Sequence, residues 1–130
     1  MSVDNGRIVV DVVDERILTM AIDRPAKLNG FTPEMMDQLV DAFTRLDTEP
    51  ELWCGLVHAA GDHFTAGLDL PRFRARMQEG ERSMDREGLV DPTALGRGCR
   101  KPVVYAVKGI TYTVGIELML AGDIVVAADD

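Results

Sequence analysis

GLVHAAGDHFTAGLDL, residues 55–70, runs from an apolar stretch into a loop almost bare of side chains and then into a lone acid. Gly55–Ala59 reads as a short buried strand. Ala66 and Gly67 then strip the backbone just beyond its exit. Bare backbone at such a place serves either a tight turn or the close approach of another group to the main chain. A backbone N–H presented there in a dry site would stabilise an oxyanion more in a transition state than in the ground state. The plain alternative is a glycine turn with Asp69 as an exposed cap.

A second stretch, GITYTVGIELMLAGDI at 109–124, sets Gly115 and Glu117 at the entrance of a mostly apolar helix. The helix macrodipole favours a carboxylate near the N-terminus. If partly buried, that carboxylate would be pushed by desolvation toward pKa values useful for proton transfer. On its own, Glu117 reads more readily as an acceptor for the first helical N–H groups.

Around these stretches the chain resolves into regular elements. Ile8–Val13 and Ile17–Asp23 predict a hairpin turned by Asp14-Glu15-Arg16. Pro25, Asn29 and Gly30 break regular structure, and Thr32-Pro33 starts a helix. Met36, Leu39, Val40, Phe43 and Leu46 continue it at three- and four-residue spacing to about Asp47. Further helices are expected over 71–78, 93–98 and 116–122, with strands over 101–107 and 123–128. Residues 79–92, charged and punctuated by glycine, read as a mobile segment. The order β-β-α-β-(α)-α-β-α-β is that of an α/β domain, with ligands expected at the strand exits after Ala59 and Val107.

Composition narrows the function classes. The 130 residues fit one domain, and 46% hydrophobic with 28% charged residues is a globular balance. A formal net charge of −8 argues against nucleic-acid binding through a broad basic face, but leaves room for an anionic small ligand. Cys54 and Cys99 have no CxxC spacing, which fits a reducing cytoplasm. His58 and His63 flank the glycine loop, and His63 is placed to reach a ligand, but with no third ligand at metal spacing no metal is expected. No signal peptide and no apolar run of membrane-spanning length is read, so the chain is expected to be soluble and cytoplasmic.

Three stretches in order, IDRPAKLNGF at 22–31, GLVHAAGDHFTAGLDL at 55–70 and KPVVYAVKGITYTVGIELMLAGDIVVAADD at 101–130, resemble the crotonase superfamily of enoyl-CoA hydratases and isomerases. The resemblance runs from about residue 6 to residue 130. It implies a crotonase-like ββα spiral, of which 1–130 looks like the N-terminal part, and an acyl-CoA thioester as ligand. It also implies that the backbone N–H groups of Leu68 and Val114 receive the thioester oxygen, with Glu117 as the acid–base group. Lys27 and Arg24 would meet the nucleotide end of CoA; Ala66, Gly67, Asp69 and Gly115 would line the substrate. Asp69 also reads as an acceptor that fixes its own loop. No cofactor is implied beyond the CoA of the substrate.

The implied reaction is addition of water to a trans-2-enoyl-CoA, with isomerisation where a single base serves. Two departures stand against the pattern. Thr113 and Val114 replace glycines, and a β-branched Val114 would be strained if the second donor needs an unusual backbone angle. The family's second glutamate lies beyond the strand that DIVVAADD resembles, as do the helices through which its members form trimers. A truncated chain, homo-oligomerisation or pairing with a complementary fragment is therefore expected, and the alternative function is binding of CoA thioesters or subunits without turnover.

Overall fold

Asp14 (φ 52°) and Glu15 (φ 63°) both take left-handed backbone, and the Arg16 N–H closes on the Val13 carbonyl at 3.2 Å. That turn has the hand that twisted neighbouring strands need. It joins β1 (Arg7–Val13) to β2 (Ile17–Asp23) as an antiparallel hairpin, Val13 opposite Ile17 and Arg7 opposite Asp23. The computed structural model describes residues 4–80 and 87–129.

After β2 a 3-10 turn at Pro25–Lys27 leads to α1 (Pro33–Thr48), where the Thr32 side chain caps by accepting from the Met35 N–H at 3.2 Å. β3 (Cys54–Ala59), α2 (Leu70–Gln78), β4 (Val103–Val107), α3 (Val114–Ala121) and β5 (Ile124–Ala127) follow. The strands lie in the sheet in chain order, β2 to β5 parallel. Helical crossovers let each strand return beside its predecessor in the same direction, so the sheet and its helices build up stepwise.

Strand alternation decides the core. Leu18, Met20, Ile22, Val57, Val103 and Tyr105 are buried on one face and pack with Met35, Leu39, Phe43 and Leu46 of α1. Gly55 lets the helix come close, since a Cβ there would stand 2.7 Å from Leu46 Cδ2 and 2.9 Å from Met20 Cε. Phe64 meets the Tyr105 ring edge-on at 6.2 Å between centroids, which anchors the loop after β3 in this core.

The helix expected over 93–98 is absent; turns and bends stand there. The Asp91 carboxylate accepts from the Thr93 N–H at 2.9 Å, the Thr93 hydroxyl at 2.7 Å and the Gly96 N–H at 2.9 Å. Side-chain acceptors of this kind compete with helix formation, and Ala94 at φ 57° completes the break. Of the expected mobile segment, residues 81–86 lie outside the described residues, and the flanking positions form turns. α3 starts at Val114, two residues before the expected start.

One side of the molecule is open. α3 is apolar around most of its circumference, the pattern of a helix covered on all sides, yet Leu120 is 75% exposed. All four β5 residues are exposed, Val126 to 58%.

The end of α1 is held by a buried charge. Asp47 accepts from Arg97 Nη2 at 2.8 Å, from the Arg100 N–H at 2.9 Å and from Arg100 Nη2 at 3.2 Å. These bonds favour the ionised carboxyl and pull its pKa from 3.8 down to about 2. A depressed folded-state pKa contributes stability above the unfolded value, and that stability is lost as pH falls through the folded one. Asp47→Asn should therefore cost roughly 1.5–3 kcal/mol near neutrality in urea unfolding. Its cost should shrink as the pH is taken from about 4 toward about 2.

Candidate active site

β3 and β4 are parallel neighbours, so the loops that leave them, 60–69 and 108–113, emerge at the same end of the sheet. Backbone bonds join the loops. Phe64 N–H donates to the Lys108 carbonyl at 2.8 Å, Thr65 N–H to Ile110 at 3.1 Å, and Tyr112 N–H to Thr65 at 3.0 Å. The other side of the glycine loop is tied to the 3-10 turn region. Phe31 N–H donates to Gly67 and Asp69 N–H to Phe31, both at 2.8 Å, and Ala66 N–H reaches Leu28 at 2.9 Å.

Two buried side chains lock the junction. Asn29, 1% exposed, accepts from the Arg24 N–H at 2.8 Å and donates to the Ala60 and His63 carbonyls at 2.8 and 2.7 Å. Thr65 donates to the Asn29 carbonyl at 2.6 Å and accepts from the Gly67 N–H at 3.1 Å. Along 64–69 every backbone N–H is thus used except that of Leu68.

Gly67 has φ 113°, and a Cβ on it would overlap Thr113 Oγ1. This contact sets the start of α3 against the glycine loop. The Val114 N–H opens α3, where no intrahelical acceptor exists, and among the described residues it has no other partner. Two free amides from separate motifs thereby share one end of the sheet. A groove of about 510 Å³, lined by Leu68, Leu70, Phe73 and Met77 among others, runs beside the first of them.

The charged candidates part company. Arg24, 3% exposed, donates through Nη1 to Asp69 Oδ2 at 3.0 Å and to the Gly30 carbonyl at 3.1 Å, and through Nε to the Asp4 carbonyl at 3.2 Å. The structure places it as a brace: the side chain is buried, and its Nε and Nη1 donors are engaged inside the protein. Asp69 pairs with Arg24 and lies 3.5 Å from Arg72 Nε, while its side chain caps α2, in keeping with the loop-fixing role also read for it. Lys27 is exposed at the end of the 3-10 turn and has no ion pair among the described residues.

Ala66 is half-buried against the Leu28 carbonyl. Gly115 is buried where a Cβ would stand 2.7 Å from Thr65 Cγ2, so it serves the close packing of α3 on the loop. Glu117 occupies the first turn of α3, as expected, but its side chain is exposed and forms no hydrogen bond or ion pair among the described residues. The condition of partial burial considered for it is not met in this structure. One nitrogen of His63 is engaged in the loop: its Nδ1 accepts from the Ile110 N–H at 2.9 Å. Burial pushes the Cys99 thiol up, away from a nucleophile's thiolate. The strain expected at Val114 falls one residue earlier, on Thr113 with φ 43° and ψ −106°, while Val114 is already helical.

Comparison with known proteins decides the family. The family model for enoyl-CoA hydratase/isomerase matches residues 13–130. The chain belongs to that family. It is 32% identical over 117 residues to an enoyl-CoA hydratase of Mycobacterium tuberculosis, covering 86% of this chain and 43% of that protein. It is 29% identical to the 1,2-epoxyphenylacetyl-CoA isomerase of Escherichia coli, covering 92% and 47%. The solved enoyl-CoA hydratase/isomerase of Pseudoalteromonas atlantica superposes with a TM-score of 0.76 at 30% identity, covering 92% of this chain and 45% of that one. The chain spans less than half the length of the curated relatives it matches.

In this family member, Asn29 and Thr65 escaped the sequence reading as site residues. Asn29 offered a signal, an Asn-Gly pair after proline, but it reads as a turn until its three long-range bonds are seen. Asn29→Ala leaves two buried carbonyls and one N–H unpartnered. It should cost roughly 2–4 kcal/mol in chemical unfolding. Amide exchange should also quicken at Gly67 and Asp69 relative to β2, because the loop loses its lock.

Proposed function

We propose that this chain binds an acyl-CoA thioester with the carbonyl oxygen between the N–H groups of Leu68 and Val114. The observation that carries the reading is that these two amides are unpartnered in a junction where the neighbouring loop bonds are made. Preorganised donors of this kind stabilise the enolate oxygen that develops when a proton moves at the α-carbon. The groove along Leu68, Leu70, Phe73 and Met77 is apolar enough for an acyl chain, and exposed Lys27, without an ion pair among the described residues, is the cation we assign to the nucleotide phosphates.

Glu117 then takes the proton of the water whose oxygen bonds to the β-carbon of a trans-2-enoyl-CoA, while the α-carbon receives a proton from an acid. Where Glu117 alone serves, the same geometry moves a proton between the α- and γ-carbons and isomerises the double bond. A second reading is binding without turnover. It is favoured by the exposure of Glu117, which leaves the base in water rather than in a dry site. The open face of α3 and β5 supports association with another copy or a complementary chain. No described helix is long and apolar enough to cross a membrane.

Turnover of a short and a medium trans-2-enoyl-CoA should fall at least ~100-fold in Glu117→Gln, with thioester affinity nearly unchanged. Binding without turnover in the unaltered chain would leave the second reading; absence of binding would sink both. Val126→Lys should weaken self-association in sedimentation without lowering the unfolding midpoint, since the side chain is exposed.

A further inference from the structure

Thr113 combines three observations that none of its neighbours shares. Its backbone, at φ 43° and ψ −106°, is one that a β-branched residue adopts only when its surroundings impose it. The Thr113 carbonyl is fixed there by the N–H groups of Ile116 at 2.9 Å and Glu117 at 3.1 Å. Thr113 also holds the N-cap position of α3, where a threonine hydroxyl ordinarily accepts a helix N–H, yet its side chain makes no capping bond. Among the described residues the hydroxyl has no partner, and the side chain is exposed. Finally, Oγ1 lies against Gly67, in the space a Cβ there would fill. It therefore sits one residue from each free amide, Leu68 on one side and Val114 on the other.

We propose that the Thr113 hydroxyl is a third hydrogen-bond donor to the thioester carbonyl oxygen, beside the two backbone N–H groups. The assignment rests on the acyl-CoA reading above. A hydroxyl rotates to suit its acceptor, and a carbonyl oxygen becoming an enolate gains acceptor strength as charge builds. The strained backbone aims the side chain into the gap between the two loops instead of back along α3. The family pattern that this stretch resembles has glycine at this position. The threonine thus adds a polar contact that the resemblance does not supply, and narrows the approach to Gly67.

Two probes of equal reach separate this role from packing: crotonyl-CoA, a thioester, and S-butyl-CoA, a thioether without the carbonyl oxygen. Calorimetric titration of the unaltered chain, Thr113→Val and Thr113→Ser is expected to show crotonyl-CoA bound about fivefold more weakly by the valine variant only. S-butyl-CoA should bind all three alike. Thr113→Gly, which relieves the positive φ, should unfold at higher denaturant while losing the same affinity for the thioester. Equal affinity of Thr113→Val and the unaltered chain for crotonyl-CoA, or an equal loss for both probes, would overturn the assignment but leave the acyl-CoA reading standing. Failure of the unaltered chain to bind either probe would overturn both.

Discussion

Main-chain N–H groups can be aimed at a ligand only if the rest of the surrounding backbone is pinned. An amide has no rotamer of its own; its direction is the direction of the chain. The structure meets this constraint by bonding nearly every other polar group of the glycine loop inward. Leu28, Phe31, Ile110 and Thr65 take up the loop's amides and carbonyls, and Asn29 reaches across to Ala60 and His63. The Arg24–Asp69 pair closes the same junction from beneath, at 3.0 Å with the arginine side chain buried. An ion pair there is poorly suited to meeting a ligand's charge. It is well suited to fixing a geometry, because separating the pair would leave a buried guanidinium without its nearest carboxylate.

The same constraint explains which parts of the site were legible in the sequence. Gly67 announces itself, because a left-handed backbone against a neighbouring chain needs glycine, and both conditions hold at φ 113° beside Thr113. The hairpin, α1 and the parallel strands follow from alternation and helical spacing, which act within a few residues. The roles of Arg24, Asp69 and His63 do not follow from local pattern. Each is decided by a partner 45 or 47 positions away in the chain, Asp69 for Arg24 and Ile110 for His63. A charged residue in a motif looks the same in sequence whether it meets a ligand or braces a loop.

The helix expected over 93–98 shows the reverse case, where a local effect overrode a weak pattern. Asp91 gathers three donors from the following five residues and holds the chain in turns. Arg97 and Arg100, set by those turns, then reach back to Asp47 at the end of α1. An irregular segment thus does the work a helix would have done in tethering β4 to α1, through charge instead of apolar packing.

Exposure at α3 and β5 and the exposure of Glu117 are one physical fact. Glu117 projects from a helix whose remaining residues are nearly all apolar, and whose far side carries Ile116 and Leu120 into solvent. A surface that packed over Leu120, Ile124 and Val126 would bury apolar area that now faces water, a favourable step in itself. It would also limit water around the neighbouring carboxylate, where proton transfer gains most from a fixed and dry environment. The amides of Leu68 and Val114 depend little on such a cover, since bonds within the described chain already aim them. Under the proposed function, thioester recognition and acid–base chemistry therefore make different demands on this fold: the first would rest on the loops that hold the two amides, and the second on what shields α3.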